Sequence, residues 1–314
     1  LNCKIGVGGC KHLPYEYLKP KSLEETIKET EQRIKYQNNF MNFLVKPFVT
    51  PLYLGLSRAV YKEIKCLGLE NLDEIKKSRC TVITYNHMID YDAVEIICRL
   101  FKAGIHPASV AYQDLFYKSS KALRWLVEGT GAFPVFNDST RFEKTKLNNF
   151  FNQFWAYLYF KRPVTIAING EITRERRFPK PHNGLAHVLL NAPEQINVPA
   201  SDIKIMPVGV ALIAKMNEYN KTILDEKHYR NLVVRAIAAF SMLYKKSSLY
   251  LSFGKPFTLE SALKNFSSES EREARNLLSA EIMKGIKNEI SRAWNEFDLE
   301  KKHKMSVDDY LKEE

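Results

Sequence analysis

Residues 84–96 read TYNHMIDYDAVEI. An apolar run, TVITY at 81–85, ends inside this stretch, and apolar residues then recur at helical spacing over about 91–103. The pattern predicts a strand-to-helix turn, and in α/β proteins such turns lie at the sheet's C-terminal edge, where ligand sites form. The turn carries His87, Asp90 and Asp92. His87 and Asp92, five positions apart, can meet at the helix start. Asp92 would then fix one tautomer of the imidazole and stabilise its protonated form, leaving the other ring nitrogen to act as a base. Two other readings stand beside this one. His87, Asp90 and Asp92 are possible metal ligands, or Asp90 caps the helix and Asn86 pins a purely structural turn.

Outward from this stretch the same alternation continues. Strands are predicted at 81–85, 107–112, 132–136, 164–168, 203–213 and 248–253. Helical patterns fall at about 91–103, 114–128, 141–160, 184–191 and 268–296. The fold class is therefore α/β, a mixed, mostly parallel sheet flanked by helices. Residues 1–21 read as an irregular N-terminus, and their GVGG run follows no strand. Ser22 with Glu25 is a capping-box signature that opens a helical element over 22–63. Its second half, FLVKPFVTPLYLGLSRAVY at 43–61, is apolar and aromatic but interrupted by Lys46, Pro47, Pro51 and Arg58. That favours an interfacial, membrane-facing element over a spanning helix, which needs roughly 20 predominantly apolar residues. The α/β domain covers 64–297, and 298–314 reads as an exposed tail.

Composition narrows the partners. Lys and Arg number 47 against 36 Asp and Glu, a net charge of +11 that suits an anionic surface or ligand. A membrane surface with anionic lipids fits, whereas nucleic acid has no recognition motif to support it. Five cysteines without a C-x-x-C pair point to free thiols in a reducing compartment. Cys3, Cys10 and His12 lack good zinc spacing. The chain opens on Leu1, so an upstream piece is expected, and no charged start with an apolar run marks a signal peptide. The location expected is peripheral, on the cytoplasmic side of a membrane.

Five segments in order then carry a family resemblance: NHMIDYD at 86–92, GAFPVF at 131–136, INGEITRERRF at 168–178, IMPVGV at 205–210 and SFGKPF at 252–257. The chain resembles the glycerophospholipid acyltransferases, the superfamily of 1-acyl-glycerol-3-phosphate acyltransferases and tafazzin-like enzymes, over about residues 64–257. The lead-in CLGLENL at 66–72 is also similar to that family's. The resemblance implies that His87 is the general base and Asp92 its orienting partner. It implies an acyl thioester donor, acyl-CoA or acyl-carrier protein, as co-substrate, no other cofactor and no metal. The acceptor implied is a lysophospholipid or glycerol-phosphate-type hydroxyl.

Acceptor-side residues implied by the same blocks are Asn86, Asn137, Arg141, Asn169, Gly170, Glu171, Thr173, Arg174 and Arg177. Arg174, Arg176 and Arg177 offer bidentate donors to a phosphate. Two positions depart from the family pattern. Asn137 stands where arginine is usual, with Arg141 the next candidate. Asn169–Gly170 stands on the family's Glu-Gly, or else Glu171, Thr173 and Arg174 stand on its Glu, Thr and Arg. These departures keep open a lipid-binding or regulatory member of the fold without catalysis, and a metal-dependent hydrolase comes after it. The aromatic stretch at 150–163 reads as a core helix before an acyl groove, and Pro207 as the shaper of a strand edge.

Overall fold

A computed structural model of the chain describes residues 19–88, 90–117, 119–135, 144–170, 181–213, 247–264, 266 and 270–311. Helix α1 (Leu23–Phe40) begins with the expected capping box: Ser22 Oγ accepts from Glu25 N at 3.2 Å, and the Glu25 carboxylate accepts from Ser22 N at 2.9 Å. A π-helical segment (Met41–Val49) follows and runs into α2 (Thr50–Val60). Thr50 N–H donates to Val45 O, five residues back, and Pro47 lies inside this wider turn. A ring without an N–H would break a regular helix, and the π geometry accommodates it.

The sheet elements follow in the order β1 (Glu63–Leu67), α3 (Leu72–Lys76), β2 (Cys80–Tyr85), α4 (Asp90–Lys102), β3 (Ala108–Tyr112), α5 (Asp114–Tyr117), α6 (Lys121–Gly129), β4 (Ala132–Val135) and α7 (Lys144–Tyr159). Then come β5 (Val164–Ala167), α8 (Gly184–Gln195), β6 (Ile203–Ile213), β7 (Ser248–Phe253), β8 (Phe257–Thr258), α9 (Leu259–Leu263), α10 (Glu271–Glu296), α11 (Leu299–His303) and α12 (Val307–Tyr310). Strand order across the sheet is β1-β7-β6-β2-β5-β3-β4, with β8 on β6. The block β6, β2, β5, β3 and β4 is parallel. β7 and β8 run antiparallel to β6, and β1 runs with β7. Strand β2 is thus flanked by β5 and β6, and the turn after it opens at the C-terminal edge of the parallel block.

Burial explains the strands. Every residue of β2 and β7 is buried, as is nearly all of β6, so both faces are covered and the sequence reads as continuous apolar runs. Helix α10 packs Ile282, Ile286, Ile290 and Trp294 into the core. Helix α7 buries Phe150, Phe154, Trp155 and Tyr157, and Phe133 meets Phe150 and Tyr157 at ring centroids 5.9 and 5.3 Å apart. The aromatic stretch is therefore a core helix.

Three expectations need correction. Helix α1, assigned from the sequence to a membrane-facing element over 22–63, packs on the α/β body. Arg33 donates to Gln153 at 2.9 Å, Gln153 to Thr30 at 2.7 Å, and Arg162 to Gln37 at 2.8 Å, so a buried polar network fastens α1 to α7 and to the connection before β5. Large apolar exposure in this region begins only after α1, at Phe43, Phe48, Leu52 and Leu56. Residues 298–311 are not an exposed tail: Leu299 and Tyr310 are buried, Leu212 N donates to Tyr310 Oη at 3.0 Å, and the Tyr310 ring meets Trp294 at a tilt with centroids 4.7 Å apart. Pro207 lies inside β6, between its pairing with β8 (204–205) and with β7 (208–213), where its missing N–H breaks no ladder.

Candidate active site

The turn between β2 and α4 is held from both neighbouring strands. On one side, Ile168 N donates to Tyr85 O at 3.0 Å, continuing the β2–β5 ladder by one bond. On the other, Asn86 takes over where the β2 backbone leaves the sheet. Its Nδ2 donates to Val210 O and its Oδ1 accepts from Val210 N, both at 2.8 Å. An amide side chain reproduces a backbone donor–acceptor pair, and β6 accepts it as one more rung. Asn86 is only 1% exposed, so in this geometry it holds the turn and does not reach toward an acceptor.

That anchoring sets His87 at the strand's C-terminal end. Its Nδ1 lies 2.6 Å from Asp92 Oδ1, and Asp92 Oδ2 accepts from Met88 N at 2.6 Å. Asp92 is fully buried, so its charge is compensated by these short charge-assisted bonds. The carboxylate holds hydrogen on Nδ1, which makes Nε2 the basic nitrogen of the ring. Tyr85 walls the imidazole edge-on, with centroids 6.0 Å apart. Burial, and then the nearby Asp92 charge, push the Tyr85 phenol far above its usual range, so it stays neutral beside the dyad.

The loop after β5 meets the same turn. Asn169, 1% exposed, accepts from His87 N through its Oδ1 at 3.2 Å. Gly170 follows with φ +63°, a left-handed conformation that glycine takes without strain. A Cβ on Gly170 would lie 3.1 Å from the His182 ring, and His182 N donates to Ile168 O at 3.1 Å. His182 thus borders the loop, a proximity across 14 positions for which the sequence carries no local signal. The structure brings together His87, Asp92, Asn86, Asn169 and Gly170 at one sheet edge. Asn137, Arg141, Glu171, Thr173, Arg174, Arg176 and Arg177 lie outside the described residues, as does the Asp90 side chain. Cys3, Cys10, His12 and the GVGG run also lie outside them. Among the described residues no group of three or more His, Cys, Asp or Glu side chains is gathered to hold a metal ion.

The comparisons with known proteins bear on the same region. Residues 63–211 match the family model Acyltransferase, a span that includes the whole turn and the loop after β5. Among solved structures the chain is similar to the 1-acyl-sn-glycerophosphate (LPA) acyltransferase PlsC from Thermotoga maritima, at 12% identity and a TM-score of 0.45, over 83% of this chain and 82% of that one. A search of curated proteins found no significant match.

Proposed function

Taking as premise that residues 63–211 form a domain of the Acyltransferase family, we propose that the chain transfers a fatty acyl group from an acyl thioester to the hydroxyl of a lysophospholipid or glycerol-phosphate-type acceptor. The observation that carries this reading is the 2.6 Å contact between His87 Nδ1 and the fully buried Asp92 at the end of β2. In the mechanism we infer, Nε2 of His87 takes the acceptor's hydroxyl proton as its oxygen attacks the thioester carbonyl. The tetrahedral intermediate collapses, the C–S bond breaks, and the imidazolium returns the proton to the leaving thiolate. Asp92 stabilises the imidazolium throughout. A positioned base contributes about 10²- to 10⁴-fold. The donor is a CoA or carrier-protein thioester, and the basic residues of the 171–177 loop, with Arg141, are assigned to the acceptor's phosphate. No cofactor enters this scheme.

The setting proposed is a membrane surface on the cytoplasmic side, in keeping with free cysteines at 66, 80 and 98. Phe43, Phe48, Leu52 and Leu56 are 67, 63, 65 and 55% exposed along one continuous helical stretch, which supports apolar insertion. Among the described residues no helix is long and apolar enough to cross a membrane.

The alternative of a non-catalytic lipid binder rested on Asn137, which lies outside the described residues, and on Asn169. The Asn169 side chain accepts from the backbone N–H of His87, which gives an asparagine at that position a structural use beside the dyad. Expression in a host lacking its own lysophosphatidate acyltransferase, followed by lipid mass spectrometry, tests the proposal. New diacyl phospholipid is expected, and its absence with folded protein present would favour the binding-only reading.

A further inference from the structure

Helix α4 starts beside Asp92 and ends at Lys102, about 15 Å further along at 1.5 Å per residue. At that far end lies an open cleft of about 620 Å³, lined by Lys46, Thr50, Leu54, Arg58, Phe101 and Lys102 among others. Lys46, Thr50, Leu54 and Arg58 recur every four residues, so one line of side chains from the π segment and α2 faces the end of α4. None of the lining residues is acidic. Among the described residues Lys46, Arg58 and Lys102 form no ion pair.

A second observation points the same way. Thr50 is 6% exposed, and its hydroxyl has no hydrogen-bond partner among the described residues. Helical threonines ordinarily bond back to a carbonyl one turn earlier. Here a buried donor is left unsatisfied on the wall of a cationic cleft, a cost that a bound acceptor oxygen would remove.

We propose that this cleft binds the phosphate monoester headgroup of a membrane phospholipid, at a site separate from the His87–Asp92 pair. The inference rests on the membrane-surface reading above and deepens it. A terminal phosphate carries between one and two negative charges at neutral pH and three acceptor oxygens, which match three cations and a hydroxyl. A lipid is preferred over free phosphate for two reasons. The cleft is much larger than a phosphate, with Leu54 and Phe101 as apolar walls. Its rim residues Pro51 and Gly55 directly precede Leu52 and Leu56 of the exposed apolar stripe, so a headgroup in the cleft leaves its acyl chains beside that stripe.

The test is co-sedimentation of the full chain with phosphatidylcholine vesicles containing phosphatidate, against vesicles matched in surface charge with phosphatidylserine. Because the catalytic site is itself assigned a phosphorylated acceptor, the comparison that decides is between variants. One combines Lys46→Gln, Arg58→Gln and Lys102→Gln, and another carries Thr50→Val alone. A control with the same charge loss elsewhere combines Lys255→Gln, Lys264→Gln and Lys284→Gln. Wild type, the control and His87→Ala should prefer phosphatidate vesicles by about tenfold. The cleft triple should lose that preference and Thr50→Val should weaken it, with melting transitions unchanged. Equal binding to both vesicle types, or equal loss in the control, overturns the proposal. Inorganic phosphate that competes at the concentration of the lipid overturns the assignment to a lipid. Absence of binding to vesicles of any composition overturns the membrane-surface reading and the cleft proposal with it, whereas binding without headgroup preference overturns the cleft alone.

Discussion

Asp92→Asn keeps the shape of the side chain and removes its charge. The native carboxylate accepts from His87 Nδ1–H and from Met88 N–H, each at 2.6 Å. An amide has a single oxygen, so one of these donors must face an –NH₂ group. If the oxygen stays with Met88 N–H, the amide's own hydrogens point at Nδ1. The imidazole proton then moves to Nε2, the nitrogen that has to accept the acceptor's proton. The imidazolium also loses its counter-charge. For charge centres about 4 Å apart at an effective dielectric of about 20, that attraction is about 4 kcal/mol, which sets the ceiling. It corresponds to about three orders of magnitude in rate. We expect kcat/KM to fall about 10²- to 10³-fold, while the lost hydrogen bond costs about 1–3 kcal/mol of stability. The assay is thiol release from an acyl thioester with lysophosphatidate as acceptor, alongside thermal unfolding of the same preparations. Activity within a few-fold of wild type in a folded Asp92→Asn protein would refute the reasoning and leave Asp92 as a brace for the Met88 turn alone.

Tyr310→Phe is expected to destabilise the protein by about 1–3 kcal/mol in denaturant titration, because Leu212 N–H loses its 3.0 Å acceptor in a buried strand. A C-terminal segment that does not dock would leave the midpoint unchanged. Glu63→Gln should flatten the acid limb of the stability curve. Partial burial raises the Glu63 carboxyl, but hydrogen bonds from Lys302, Lys65 and Tyr250 outweigh it and hold the group at about 2, below its ordinary 4.5. A depressed folded value means this stabilisation is complete above about pH 4.5 and is lost as pH falls toward about 2, so an acid limb identical in the two proteins over that window would count against the cluster.

Strands β6 and β7 were legible to the residue, because strands buried on both faces read as unbroken apolar runs between polar ends. Strand β1, EIKCL, gave no such signal. It lies at the sheet edge, each of its residues is half-buried, and Lys65 and Glu63 pair with each other at 2.9 Å on its surface. The reversal of β7 and β1 relative to the other strands was equally silent, since strand direction is fixed by connections and not by pattern. The meeting of His87 with Asp92 could be read from local spacing at a strand-to-helix turn. Asn169 could be aligned but not understood, because its contact with His87 N spans 82 positions. Docking of the C-terminal segment rests on Leu299 and Tyr310 set among charged residues, too sparse a pattern to predict burial. Lys46 and Arg58 were visible as cations in an apolar stretch, but Lys102 joins them only through the packing of α2 on the end of α4.

The central claim is that His87 acts as the base for transfer to a hydroxyl, and one measurement tests it most directly. Purified wild type and His87→Ala are incubated with an acyl thioester and isotope-labelled lysophosphatidate, and labelled product is quantified by mass spectrometry against free thiol released. The account predicts product and thiol in equal amounts for wild type, and in His87→Ala a loss of product of at least about 10²-fold with an unchanged melting transition. Product formed by His87→Ala at the wild-type rate would contradict it.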